Sequence, residues 1–354
     1  MVYLLKGMVK TCILIVVFGL VAFGLLIVRF NISEFVESLS QYPKEQTQVV
    51  GATTNNTNIT TAVLPVFPEA LISLYDNNNM TNRTQQQQQQ TPSRIVWQTF
   101  WTKELPESVQ KVRGKMNRRN KGYDFRLYDD DDVQNFMKEH FSGTRVYQAF
   151  QSINPKLGAM KADFWRYCVL YVYGGVYLDM DSIILLPLRR WVNNQFSVLS
   201  FEGNVWEGTT RKQCLQVWKH IDRKIDSNFT LFGPDNNTTN LFVQWALVFP
   251  FPGNPILKEV ILFVTDLLLE WKDTPQSLNE TTMKSRVVCL TGPSAFTVAV
   301  QGALKRNEYP NLQFRGYDYE KSILCKKALV QKALDQLKPR YDSLPKNIPV
   351  LVAP

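Results

Sequence analysis

The spacing of apolar residues divides the chain into three stretches. Thr11–Val28 is an 18-residue run without a charge, residues 31–91 are dominated by Asn, Thr, Gln and Ser, and from Arg94 apolar positions recur in short runs and helical spacings. In the third stretch Ile95–Phe100 reads as a strand, followed by a helix to about Arg119 and a second strand at Phe125–Tyr128. Asp131–Glu139 has Val133, Phe136 and Met137 on one helical face; Leu157–Tyr173 is a longer helix with Phe164, Tyr167, Cys168 and Tyr171 on its apolar side. Gly174-Gly175 permit the positive φ of a tight reversal into the short apolar strand Val176–Leu178, and Ile183–Leu186 resumes extended structure. Leu241–Phe249 is strand-like and Ile256–Trp271 an amphipathic helix; beyond about Lys305 no pattern assigns an element. Strands alternating with helices predict an α/β fold, a mainly parallel sheet covered by helices on both faces, with ligands at the carboxyl ends of strands.

The first stretch is long enough to cross a thin bilayer, about 27 Å at 1.5 Å per helical residue. Lys6 and Lys10 precede it and Glu34 and Glu37 follow it, so the positive-inside rule keeps the N-terminus cytoplasmic. Arg29-Phe-Asn-Ile follows where a cleaved signal peptide would need small residues, which favours a retained anchor. The expected organisation is a cytoplasmic tail at 1–10, a transmembrane signal anchor at 11–29, a flexible glycosylated stem at 30–92 and a lumenal domain at 93–354. The stem has too little apolar surface to offset chain entropy. It carries sequons at Asn31, Asn55, Asn58, Asn79 and Asn82, and Asn228, Asn236, Asn237 and Asn279 follow downstream.

Composition adjusts this picture in three places. The net charge of +9 invites a nucleic-acid reading, but no binding motif accompanies it and a lumenal domain meets no nucleic acid. Its densest basic run, Lys111 to Lys121, reads as a solvated helix face, or as a patch attracting an anionic acceptor. With Cys12 in the span, Cys168, Cys214, Cys289 and Cys325 remain; they allow three disulfide pairings, or leave Cys168 as a buried thiol within its apolar helix. His140 and His220 lack metal-ligand spacing.

The chemistry concentrates at the glycine turn. Asp163 and Arg166 lie three apart and share a helix face. Asp179 and Asp181 follow the apolar strand at i and i+2, which on an extended chain point the same way and can converge on one hard cation. An unpaired buried carboxylate is expensive, so a cation or cationic partner is expected there. The run Asp129–Asp132 also contains D-x-D spacings, but it reads as a solvated strand-to-helix corner.

From Lys161 to Asp181 the chain resembles the "DXD" region of glycosyltransferase family 32, which includes yeast initiating α-1,6-mannosyltransferases and inositol-phosphorylceramide mannosyltransferases. Ile95-Val-Trp-Gln-Thr-Phe-Trp101 is similar to the family's opening strand, with Trp97 in place of its His; Tyr123–Asp130 resembles its second strand and Leu290-Thr-Gly-Pro293 its late turn. The resemblance runs from about Arg94 to Pro187 and more thinly to Thr297. It implies a GT-A-like, Rossmann-type domain and a retaining, metal-dependent transfer of a hexose from a nucleotide sugar to a glycan or glycolipid. The implied donor is GDP-mannose, and a UDP-sugar is the alternative. The implied cofactor is a divalent cation, Mn²⁺ first and Mg²⁺ second, with Asp181 as direct ligand. Asp179 is assigned to the ion or to ribose and sugar hydroxyls, and Asp163 and Arg166 to the donor. Trp97 is assigned either to stacking on the nucleobase or to core packing, and Tyr177 and Met180 to packing. The implied setting is a single-pass type II protein of the Golgi or ER membrane, alone, as a homodimer or in a transferase complex. Two other classes compete: an inactive lumenal partner subunit, and a haloacid-dehalogenase-type phosphohydrolase. The latter wants Thr or Val where this chain has Ile183.

Overall fold

Each short run that becomes a strand holds at least one β-branched or aromatic residue, as their pleated-surface packing favours. In a computed structural model the described residues are 91–192, 195–202, 209–221, 241–305, 311–324, 332–334, 343–345 and 347–352. All belong to one compact unit, Ala52–Pro354. The expected anchor and stem, Cys325 and the sequons at Asn228, Asn236 and Asn237 lie outside the described residues.

Six strands form the main sheet in the order β2-β1-β3-β6-β5-β7. They are β1 (Ile95–Thr99), β2 (Asp124–Tyr128), β3 (Gly175–Leu178), β5 (Ser197–Phe201), β6 (Ala246–Phe249) and β7 (Leu312–Tyr317). β1 runs parallel to β2 and β3, β7 runs parallel to β5, and β6 is antiparallel to both of its neighbours. The sheet is therefore mixed but mainly parallel, with β6 alone reversed. A separate ribbon pairs β4 (Ile183–Ile184) with β8 (Ile323–Leu324).

Strand alternation sends side chains to two covered faces. Val96, Val176, Leu178 and Val248 enter a core with Val109 and Met116 of α1 (Glu107–Arg119). Trp97 and Tyr177, register partners on the other face, meet Tyr128 and the Trp165 ring of α4 (Gly158–Tyr173). Helices thus cover both faces, as the alternation predicts. Between β2 and α4 lie α2 (Asp130–Phe141) and α3 (Arg145–Ser152). The acidic run is the start of α2: Asp129 caps it in a reciprocal capping box with Asp132, and Lys103 pairs with Asp132 at 2.6 Å. Three carboxylates in a first helical turn also favour the helix dipole.

The later elements are α5 (Thr209–Trp218), α6 (Pro255–Glu270), α7 (Pro275–Glu280), α8 (Met283–Leu290) and α9 (Pro293–Leu304). The stretch Met283–Leu304 is apolar enough to cross a membrane, but it is 78% buried within the fold. Cys214 of α5 is disulfide-bonded to Cys289 of α8, and Cys168 is a buried free thiol. The pattern assigns no element to β5, β7 or β8, which are held by partners distant in sequence.

Candidate functional site

The site begins with a glycine hinge. Gly174 (φ 65°) and Gly175 (φ 111°) turn the chain from α4 into β3, and a Cβ on either would meet backbone: Pro250 O at 2.7 Å and Ile95 O at 2.6 Å. Trp97 closes this hinge, donating Nε1–H to the Gly174 carbonyl at 2.8 Å and stacking on Tyr173 with centroids 5.7 Å apart. Its side chain is wholly enclosed. Of its two assignments, core packing is the one the structure has; a ring with no exposed face offers nothing to a nucleobase.

β3 ends at Leu178, one residue before the first carboxylate. The Ser182 amide donates to the Asp179 carbonyl at 3.0 Å, which makes 179–182 a turn, so the extended alternation expected to align Asp179 with Asp181 does not apply. A turn still keeps its four residues close, within about 7 Å end to end. The Asp179 amide is fixed by the Trp245 carbonyl at 2.8 Å. Asp181 follows on the turn, half-buried.

Asp179 points back toward α4. Its Oδ1 accepts from Arg166 Nη2 at 3.0 Å and from the Tyr177 hydroxyl at 2.6 Å. Tyr177, taken as packing from sequence, is therefore a polar partner as well; its position two residues before Asp179 was the available signal. Arg166 also pairs with Asp163 Oδ1 at 3.0 Å, lies 4.5 Å over the Tyr177 ring and donates to the Gln244 carbonyl at 3.3 Å. The helix-face pair and the strand-end carboxylate thus share one guanidinium. Asp163 Oδ2 accepts from the Thr291 hydroxyl at 3.0 Å. The Thr291 carbonyl accepts from the Tyr167 hydroxyl at 2.8 Å and from Gln244 Nε2 at 3.3 Å, and Gln244 Nε2 also donates to the Tyr167 hydroxyl oxygen at 2.5 Å. Thr291 and Gln244 were not singled out as site residues, since they lie 128 and 78 positions from their partners Asp163 and Arg166.

Burial dominates the electrostatics. It raises the Asp163 carboxyl to about 6, against the pull of Arg166, with Asp179 adding to the rise. Burial works to discharge Arg166, but Asp179, Tyr177 and Asp163 together hold its pKa above the ordinary value. Burial also pushes the Tyr167 and Tyr177 hydroxyls well up, so both stay protonated donors.

Two polar groups at this corner are buried without a protein partner: Arg166 Nε and the Ser182 hydroxyl. Buried donors of this kind call for water or a ligand. No group of three or more His, Cys, Asp or Glu suited to a metal occurs among the described residues. The side chains here that could hold a cation are the two turn carboxylates; Oδ1 of Asp179 already accepts from two donors. Hard oxygen donors of this kind suit Mg²⁺ or Mn²⁺ when a phosphorylated ligand supplies further oxygens. His140 bonds to the Tyr173 hydroxyl and His220 faces Glu280.

Residues 106–197, which hold both carboxylates of the turn, Asp163 and Arg166, match the family described as "Glycosyltransferase sugar-binding region containing DXD motif". That stretch, about a quarter of the chain, is similar to this sugar-binding region, in keeping with the motif resemblance. Among relatives, the chain is 26% identical to the initiation-specific alpha-1,6-mannosyltransferase of Candida albicans, over 58% of this chain and 51% of that one. It is 27% identical to the protein of that name in Saccharomyces cerevisiae, over 52% and 41%. It is also 33% identical to the mannosyl phosphorylinositol ceramide synthase SUR1 of Saccharomyces cerevisiae, over 25% and 22%. The chain spans about half, or less, of the length of these relatives.

Proposed function

We propose that the chain is a metal-dependent, retaining glycosyltransferase that moves a hexose, mannose from GDP-mannose, to a glycan or glycolipid acceptor. The observation that carries this reading is the single guanidinium of Arg166 held between Asp163 and Asp179 at 3.0 Å each, at the carboxyl end of β3. The match of this segment to a sugar-binding region makes a phosphohydrolase the poorer account, since the pair Asp163 and Arg166 has no part in that chemistry.

Each residue then has a role set by its surroundings. Arg166 remains charged through any physiological pH; it holds Asp163 and Asp179 in place, and its Nε, buried without a protein partner, is the donor left for the phosphate or sugar of the nucleotide sugar. Asp163, steadied by Thr291, accepts hydrogen bonds from sugar hydroxyls. Asp179, its Oδ1 taken by Tyr177 and Arg166, presents Oδ2 to the ribose or sugar. Asp181, on the turn, is the direct ligand for a divalent cation, and Mn²⁺ is the proposed ion. When bound, that ion neutralises charge growing on the departing diphosphate. The enclosed network holds these groups in place before the donor arrives, so little reorganisation accompanies the transfer.

By the sequence reading, the protein is a type II membrane protein of the Golgi or ER with this domain in the lumen. The experiment is donor binding and turnover across a panel of sugar nucleotides with and without Mn²⁺, on the wild-type chain and on Asp181→Asn. The variant should keep its fold and lose metal-dependent turnover by at least about a hundredfold, in keeping with the loss of a group acting on transition-state charge. Equal turnover by Asp181→Asn would remove that residue from its role, and turnover of none of the sugar nucleotides would remove the reading itself.

A further inference from the structure

β6 reaches the site through a bulge. Val198 pairs with Val248 and Phe201 with Phe242, so β5 advances three residues where the chain opposite it covers six. The surplus falls at 244–246, because the Val243 amide already donates to the Ser200 carbonyl at 2.8 Å. Extra residues re-aim a strand and are met beside active sites. Here they bring two carbonyls to the corner: that of Gln244 accepts from Arg166 at 3.3 Å, and that of Trp245 from the Asp179 amide at 2.8 Å. The next carbonyl, that of Ala246, follows the antiparallel alternation and is turned away from β3. It accepts from the Tyr319 hydroxyl at 2.7 Å.

Tyr319 is delivered by strained backbone. Asp318, Tyr319, Glu320 and Lys321 have φ of 47°, 52°, 53° and 59°, and among the described residues they are the non-glycine ones at positive φ. In this region a Cβ crowds the following carbonyl, so such residues occur singly rather than in runs. A run of four persists only where the surroundings over-determine it. The Tyr319 amide donates to Ser200 Oγ at 2.7 Å, and that hydroxyl donates to the Gly316 carbonyl at 2.5 Å, where β7 shifts register against β5. The Tyr319 ring is wholly enclosed and packs on Trp191 and Trp245, with centroids 5.4 and 6.4 Å away. Burial pushes the hydroxyl's pKa up, so it stays a donor. Beyond the turn the Ser322 carbonyl accepts from the Leu185 and Leu186 amides, and β8 pairs with β4. Segment 318–324 therefore meets the carboxylate turn at both ends, through Ala246 and Trp245 at Asp179 and through β4 after Ser182.

We propose that Tyr319 is a positioning residue of the transferase site: its hydroxyl plugs the bulge and so fixes the carbonyls that hold Arg166 and Asp179. Core packing alone asks only for the ring, which phenylalanine would supply. The left-handed run brings two donors of one residue to two strands at once, the N–H to Ser200 of β5 and the O–H to Ala246 of β6. The consequence for donor binding rests on the proposed transferase function; the coupling of Tyr319 to the Asp179 amide does not.

The test is amide hydrogen exchange of the full chain, read by fragment, beside calorimetry with GDP-mannose and Mn²⁺. In Tyr319→Phe, segments 178–182 and 244–247 should exchange roughly three- to tenfold faster, the effect of one lost hydrogen bond, with β1 and β2 unchanged. Affinity for GDP-mannose should fall by a similar factor. Ser200→Ala, which frees the Tyr319 amide, should give the same local pattern. Lys321→Gly relieves one left-handed residue whose side chain is exposed; it should raise the midpoint of urea unfolding and leave 178–182 as in the wild type. Unchanged exchange at 178–182 in Tyr319→Phe would reduce the residue to packing and overturn the proposal. So would faster exchange across the whole sheet, which would make the hydroxyl a general stabiliser, or a lowered midpoint in Lys321→Gly, which would remove the strained turn. A wild-type chain that binds no GDP-mannose would count against the transferase reading, and the exchange pattern would still judge Tyr319.

Discussion

Thr291 and Asp163 show how much of this site depends on single hydrogen bonds. The threonine hydroxyl reaches a carboxylate whose pKa burial has raised to about 6. Because the folded pKa exceeds the ordinary 3.8, this group's contribution to stability is full below about pH 4 and is lost as pH rises through about 6. Donor binding, which uses the ionised carboxylate, gains over that same window. Calorimetric titration of the donor should therefore show affinity falling between about pH 7 and about pH 5. In Thr291→Val the carboxylate loses a donor to its charged form, so the midpoint of that fall moves to higher pH. At pH 7 the affinity drops by about tenfold, the order expected for a hydrogen bond to a charged group. Thr291→Ser should restore both midpoint and affinity; a purely packing role for the threonine would instead leave the midpoint where it is in all three proteins.

At the scale of elements, the hinge between α4 and β3 is the most constrained local structure. α4 ends because Gly174 turns the chain at positive φ, and β3 begins at a residue whose Cβ would lie 2.6 Å from the Ile95 carbonyl. Trp97 sits over this hinge with its indole N–H on Gly174. Gly175→Ala combines a strained backbone with a contact that only backbone movement can relieve, and it should cost roughly 2–4 kcal/mol in urea unfolding. The same variant should lose donor binding, because the hinge sets where Asp179 emerges. A cost under about 0.5 kcal/mol, the range of ordinary surface substitutions, would show that β1 and β3 can part there without penalty.

Over the whole molecule, the first half brings α4 and β3 while the second half closes on them. β6 supplies Gln244 and Trp245 from its approach, and the turn between α8 and α9 supplies Thr291. The disulfide Cys214–Cys289 spans 75 residues and fixes α5 to α8, which ends at that turn. Loop-closure entropy for a span of this length predicts a loss of up to about 4.5 kcal/mol in Cys214→Ser with Cys289→Ser, read by denaturant unfolding, with metal-dependent turnover retained under native conditions. The early α/β alternation, the hinge and the placing of the four charged candidate residues around it were legible in the amino-acid sequence because each is a local matter of side-chain period, φ preference and short spacing. The reversal of β6, the pairing of β5 with β7, the enclosure of Trp97 and the convergence of Gln244 and Thr291 on Asp163 and Arg166 were decided only by tertiary structure. Those contacts join residues far apart in the chain or turn on which face is covered, and neither is encoded in any local pattern.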